Sequence, residues 1–239
     1  MQTYLVCTIG GSFQPVLRAI KDCKPDHIYF ICSGGNNGSI SMIDGNGVEM
    51  PPPKDQTPQA KSSKIKRTNI PTMAELASDR YHTIVVDNAD DFDGIYSTIY
   101  RTLEGMLQKF SDEIKIIADY TCGTKTMSAA MVAAATEFND IELQLVTGNR
   151  QDLIKVRMGE RSRTLDLDRF KLNKLYRTVF SLWQQFQYGD AFLLLDGVKA
   201  PRSIELIEQL DVLTQVSKAF DEWDRFNHQK AYDILGNYI

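Results

Sequence analysis

The chain is poor in the residues from which metal centres and covalent staples are built. Its four cysteines, Cys7, Cys23, Cys32 and Cys122, form no CxxC pair, and only three histidines occur, His27, His82 and His228. That pattern excludes a zinc ribbon or a disulfide framework and leaves no cofactor or metal to expect. Cys7 and Cys32 fall inside apolar runs, where a thiol packs as a small core residue, in keeping with a reducing, cytoplasmic setting. Excess basic charge is missing too. With 27 Lys and Arg against 31 Asp and Glu, the net charge is −4, so no duplex nucleic acid partner is expected. No run approaches the ~18 apolar residues of a membrane span, and the opening MQTYLVCTIGG lacks the basic and long apolar regions of a signal peptide. Nor is an internal repeat of 20–50 residues evident.

What is present is an ordinary globular composition, 43% hydrophobic and 24% charged over 239 residues, enough for one sizeable core or a core plus a small module. Short apolar, β-branched runs at Tyr4–Ile9, His27–Ser33, His82–Asp87, Ile114–Asp119 and Ile141–Thr147 read as strands. Leu153–Met158 pairs with the last as a hairpin. Helical patterns lie between them: Pro15–Asp22, the 3–4 residue spacing from Phe92 to Phe110, and the Ala-rich Lys125–Phe138. Continuous rather than alternating apolar strands joined by helical crossovers predict a Rossmann-like, doubly wound α/β fold with a mainly parallel sheet.

Gly34–Arg67 interrupts this rhythm with an insertion too long for an ordinary strand-to-helix connection, either a functional flap or a solvated loop. It leaves the carboxyl end of the second strand, where open α/β sheets bind ligands. From about Asp168 only helices remain: one stripe from Phe170 to Phe186, a second from Ile204 to Val216 begun by Pro201, and a third from Ala219 to Leu235. The division expected is therefore 1–165 for an α/β domain with the 34–67 flexible insertion, and 166–239 for a small all-helical module.

Two strand-to-helix turns carry candidate chemistry. In Thr8–Pro15, Gly10 and Gly11 allow close backbone approach, while Ser12 and Gln14 offer a hydroxyl and an amide. In Asp119–Thr126, Gly123 permits a tight turn, and Lys125 adds charge to the free N–H groups of the next helix, which together suit a phosphate. Neither turn has a GxGxxG or Walker pattern. From the residues alone, the second turn is either an anion site or a capped helix start.

GGSFQP after the first strand, CSGG after the second and DYTCGTKTMSAAMVAAA after the fourth together resemble the CARF family (CRISPR-associated Rossmann fold), in which Asp-x-Thr-x-Gly-Thr-Lys-x-Met-Ser-Ala-Ala is frequent at the last position. The resemblance covers about residues 1–160, and the helices beyond it look like linker helices. It implies a homodimeric sensor of cyclic oligoadenylates in type III CRISPR antiviral defence, binding cyclic tetra- or hexa-adenylate in one pocket on a two-fold axis. By motif, Gly10, Gly11, Ser12 and Gln14 line that pocket from the first turn, and Thr121, Gly123, Thr124 and Lys125 from the second. Asn36, Asn37 and Arg150 are added by position.

The spacing of the HEPN ribonuclease, Arg then four to six residues then His, is absent; Arg225–His228 and Arg80–His82 are too close. A PD–(D/E)xK reading of Pro25-Asp26 with Glu113-Ile114-Lys115 places both pieces inside the scaffold. The resemblance leaves open metal-independent ring cleavage, with Ser12 and Lys125 as the catalytic candidates. A ligand-controlled DNA-binding regulator is the remaining alternative, set against the acidic balance of 201–235.

Overall fold

The structure, a computed structural model, describes residues 1–35, 38–45, 47–49, 67–110, 113–150 and 156–236. Its α/β part contains β1 (Gln2–Thr8), α1 (Gln14–Cys23), β2 (His27–Ser33), the short pair β3 (Val48–Glu49) and β4 (Arg67–Thr68), and α2 (Ile70–Met73). These are followed by β5 (Tyr81–Val86), α3 (Phe92–Phe110), β6 (Ile114–Asp119), α4 (Lys125–Ala135), β7 (Ile141–Arg150) and β8 (Val156–Thr164). The helical part comprises α5 (Asp168–Gln184), α6 (Tyr188–Asp196), α7 (Ile204–Asp224) and α8 (His228–Leu235). By packing, the chain divides into Met1–Leu165 and Asp166–Ile239.

Six strands form one sheet in the order β5-β2-β1-β6-β7-β8, all neighbours parallel except the β7–β8 hairpin. This is the Rossmann-like, mainly parallel sheet that the apolar runs predict. The central strands are apolar on both faces because both are covered. Leu5, Cys7, Ile9, Ile28, Phe30 and Cys32 pack with Val16, Ala19 and Ile20 of α1. On the other side α3 buries Ile95, Ile99, Leu103 and Met106. The small residues of α4, with Ala130, Ala134 and Ala135 fully buried, let it lie close on β6 and β1. Cys7 and Cys32 are buried as expected, and burial pushes the Cys32 thiol up to about 12.

Strand β1 leads through α1 to β2 on one side, whereas β6 pairs with β1 on the other. The order therefore reverses between β1 and β6, and the loops leaving their carboxyl ends face one crevice. Within the insertion, a 3₁₀ turn at Ser39–Met42 and the antiparallel β3–β4 pair frame residues 50–66, which lie outside the described residues.

The helical part departs from expectation in three ways. Tyr188–Asp196 is a helix of its own, α6. Pro201 does not open a helix, because α7 starts at Ile204 after Ser203. The segment from Ala219 to Leu235 is not one helix: α7 runs to Asp224 and α8 begins at His228. The break at each long helix has the same form. Phe186 (φ 60°) and Phe226 (φ 63°) take the left-handed conformation. Their amides donate to Trp183 O and Trp223 O, both at 3.0 Å, and the next amides donate to Leu182 O and Glu222 O, both at 2.9 Å. These are Schellman closures with phenylalanine where glycine is usual. Phe180, Trp183, Phe186, Ala191 and Leu195 recur forty residues later as Phe220, Trp223, Phe226, Ala231 and Leu235, so α5–α6 and α7–α8 form an internal repeat that the sequence reading missed.

Phe226 is 83% exposed, so its side chain gains little burial in return for its left-handed backbone. Phe226→Gly is expected to raise stability by roughly 0.5–1 kcal/mol, read as a Tm about 2 °C higher in thermal melts, whereas Phe226→Ala gives no rise.

Candidate functional site

The first and second candidate turns meet at the crevice between β1 and β6. A Cβ built on Gly10 would lie 2.7 Å from Gly123 N and 3.1 Å from its Cα, closer than side chains tolerate. Gly123 itself has φ +89°, and a Cβ there would meet the Thr8 and Met127 side chains at 3.1–3.2 Å. Both positions thus demand glycine, one for approach and one also for conformation. Gly11 differs, since a Cβ there would meet nothing within 4 Å and would point into open space.

The β6–α4 turn is held from several sides. Thr8 Oγ1 donates to Cys122 O, and Ser128 Oγ donates to the same carbonyl at 3.1 Å. Asp119 Oδ1 accepts from Thr121 N at 2.9 Å, and Thr121 Oγ1 accepts from Val146 N at 2.7 Å. Thr124 caps α4 by accepting from Met127 N at 3.1 Å and donates to Ala89 O at 2.8 Å, tying on the loop before α3. The Cys122 thiol donates to Ser12 O at 3.6 Å, joining this turn to the β1–α1 turn.

The expected site residues therefore divide. Gly10, Gly11, Ser12, Gln14, Thr121, Gly123, Thr124 and Lys125 all lie on the two turns at the crevice. The hydroxyls of Thr121 and Thr124 are engaged within the fold, and so is the Thr121 amide. Ser12, Gln14 and Lys125 are exposed, and none has a side-chain partner among the described residues. Gln14 is the first residue of α1 and Lys125 the first of α4. Arg150 ends β7, with its side chain outside the described residues, as are Asn36 and Asn37 entirely. The sequence reading placed Thr8 and Asp119 at the start of the two turns without giving them a role and did not single out Gln144; their polar side chains are buried at 1%, 3% and 3% exposure beside the turn.

Chemically, the arrangement is one that suits an anion cradle. Helix α4 presents its first N–H groups and a lysine at one point, and backbone approaches closely from both sides. No cluster of His, Cys, Asp or Glu among the described residues could hold a metal ion. No helix among them is long and apolar enough to cross a membrane.

No family model matches the chain, and no curated protein matches it in sequence. Among solved structures, it is similar to Enterococcus italicus Csm6 bound to cyclic hexa-2′-fluoro-hexa-dAMP, with TM-score 0.62 and 12% identity over 94% of this chain and 54% of that one. It is more distantly similar to Can2 from Sulfobacillus thermosulfidooxidans in complex with cyclic tetra-adenylate, with TM-score 0.38 and 10% identity over 90% and 58% of the two chains. A type III CRISPR defence DNA nuclease activated by cyclic oligoadenylate gives TM-score 0.43 and 11% identity over 91% and 34%. At these identities the likeness is one of fold, and the Csm6 comparison carries it; the chain spans about half of that protein's length. The class defined is a Rossmann-like domain with the β1–α1 and β6–α4 turns at the point where strand order reverses. What the comparison shows is the fold that this chain shares with that Csm6.

Burial pushes the Asp119 carboxyl up, and hydrogen bonds from Thr121 and Gln144 offset this only in part. A carboxyl raised in the folded state contributes stability below its unfolded value of ~3.9, and that contribution is lost as pH rises through the folded value. Wild type should thus lose stability relative to Asp119→Asn as pH rises from about 4 towards neutrality, as denaturation at a series of pH values will show. Gly10→Ala should cost roughly 1–3 kcal/mol, lowering Tm by about 3–10 °C, while Gly11→Ala leaves Tm unchanged.

Proposed function

We propose that the chain is a cyclic oligoadenylate sensor of type III CRISPR defence. It takes one cyclic tetra- or hexa-adenylate across two copies of residues 1–165 and relays binding through the helices of 166–239. The observation that carries the reading is the contact of Gly10 with Gly123. It brings both motif turns to the switch point and leaves Ser12, Gln14 and Lys125 exposed around them. The fold shared with a Csm6 bound to a cyclic hexanucleotide analogue supports it. A ring with an even number of identical phosphates suits two identical cradles, each offering one helix start and one lysine. That doubling answers the net charge of −4, because the cations needed are local.

Cyclic tetra- and hexa-adenylate are expected to raise Tm by mass action, one of them at micromolar concentration, with linear adenylates of equal length giving less. Lys125→Ala removes a charged hydrogen bond worth roughly 1.5–3 kcal/mol and should weaken binding at least tenfold by calorimetry, leaving the unliganded Tm unchanged because the side chain is exposed. Absence of any shift with either ring would overturn the reading.

A further inference from the structure

Buried polar side chains are few in Met1–Leu165: among the described residues they are Thr8, Asp119 and Gln144. All three converge on one turn. Asp119 ends β6 directly opposite Gln144 of β7 in the sheet register. Gln144 Nε2 donates to Asp119 Oδ2 at 3.1 Å, and the other carboxylate oxygen accepts from Thr121 N. Gln144 Oε1, the other end of the same amide, accepts from Cys23 Sγ at 3.2 Å. Its backbone oxygen accepts from Tyr120 N at 3.3 Å. From the other side, Thr8 Oγ1 holds Cys122 O.

Stability alone does not account for this placement. A buried carboxylate and a buried amide cost desolvation that an apolar pair would avoid, and the neighbouring Ile117–Ala118 of β6 and Leu143 of β7 are apolar. The buried polar pair sits where β6 ends at the crevice, beside the fourth residue of β7. Its bonds fix the direction of the chain from Tyr120 to Cys122, just before the left-handed Gly123 and the start of α4.

We propose that Asp119, Gln144 and Thr8 are positioning residues for the anion cradle. They hold the β6–α4 turn in its ligand-ready form. The inference rests on the reading that this crevice binds cyclic oligoadenylate, and it assigns the affinity of the site in part to groups that never touch the ligand.

Exchanging donor and acceptor across the pair provides the test. Gln144→Glu sets two carboxylates against each other. Asp119→Asn combined with Gln144→Glu restores complementarity, because the new amide donates to the new carboxylate while its oxygen still accepts from Thr121 N. Dissociation constants for cyclic tetra- and hexa-adenylate would be measured calorimetrically at a temperature well below each variant's melting point. Gln144→Glu is expected to weaken binding at least tenfold, and the double variant to return to within about threefold of wild type. Thr8→Val, which keeps shape and removes the hydroxyl, is expected to weaken binding three- to tenfold; it supplies the test should Gln144→Glu fail to fold. Variants that melt earlier yet bind as wild type would overturn the inference, as would a double variant no better than Gln144→Glu. If wild type itself binds neither ring, the functional reading falls rather than this one.

Discussion

Two glycine backbones in contact set the terms for everything near the crevice. Gly10 follows β1 and Gly123 follows β6, and no side chain fits between them. Because the strands are paired in register up to Cys7 and Asp119, a separation at the glycines would have to be absorbed within the turns. Thr8 spans the remaining distance to Cys122 O, and the Cys122 thiol spans it again to Ser12 O. The exposed groups, Ser12, Gln14 and Lys125, are thereby presented on a rim whose base is backbone packed against backbone. A site built this way gains rigidity from absence of side chains, and its chemistry from the few that remain.

Much of this was legible in the sequence, for identifiable reasons. β2, β6 and α3 run over the residues expected, because continuous apolar runs and 3–4 residue spacing survive tertiary context when both faces or one stripe are buried. Gly10 and Gly123 were legible as backbone positions, because a glycine straight after a strand marks a close approach or a left-handed turn. Thr8, Asp119 and Gln144 were not. Each lies within or at the end of an apolar run, and Asp119 and Gln144 become partners only through strand register across 25 residues of chain. No periodicity encodes that pairing.

The helical part shows where pattern reading fails. Tyr188–Asp196 is apolar on most of its circumference and so has no stripe to find. The division between α7 and α8 depends on a residue in left-handed conformation, which composition advertises when it is glycine and hides when it is phenylalanine. The forty-residue repeat escaped for the same reason. It is written in hydrogen bonds at the corners, Trp183 with Phe186 and Trp223 with Phe226, while only a handful of side chains are retained. Trp183 donates to Ser217 at 3.1 Å and so ties the first repeat to the second.

The thiol of Cys122 lends the turn another property. Its residue is buried at 8% exposure, and the sulfur bridges to the carbonyl of Ser12 on the facing loop. A reagent that modifies thiols cannot reach it unless the two loops part. The rate at which this cysteine is labelled is therefore a clock for the opening of the crevice, read from a residue already in the chain. Cys7 and Cys32, deep in the central strands, report on the slower opening of the sheet itself.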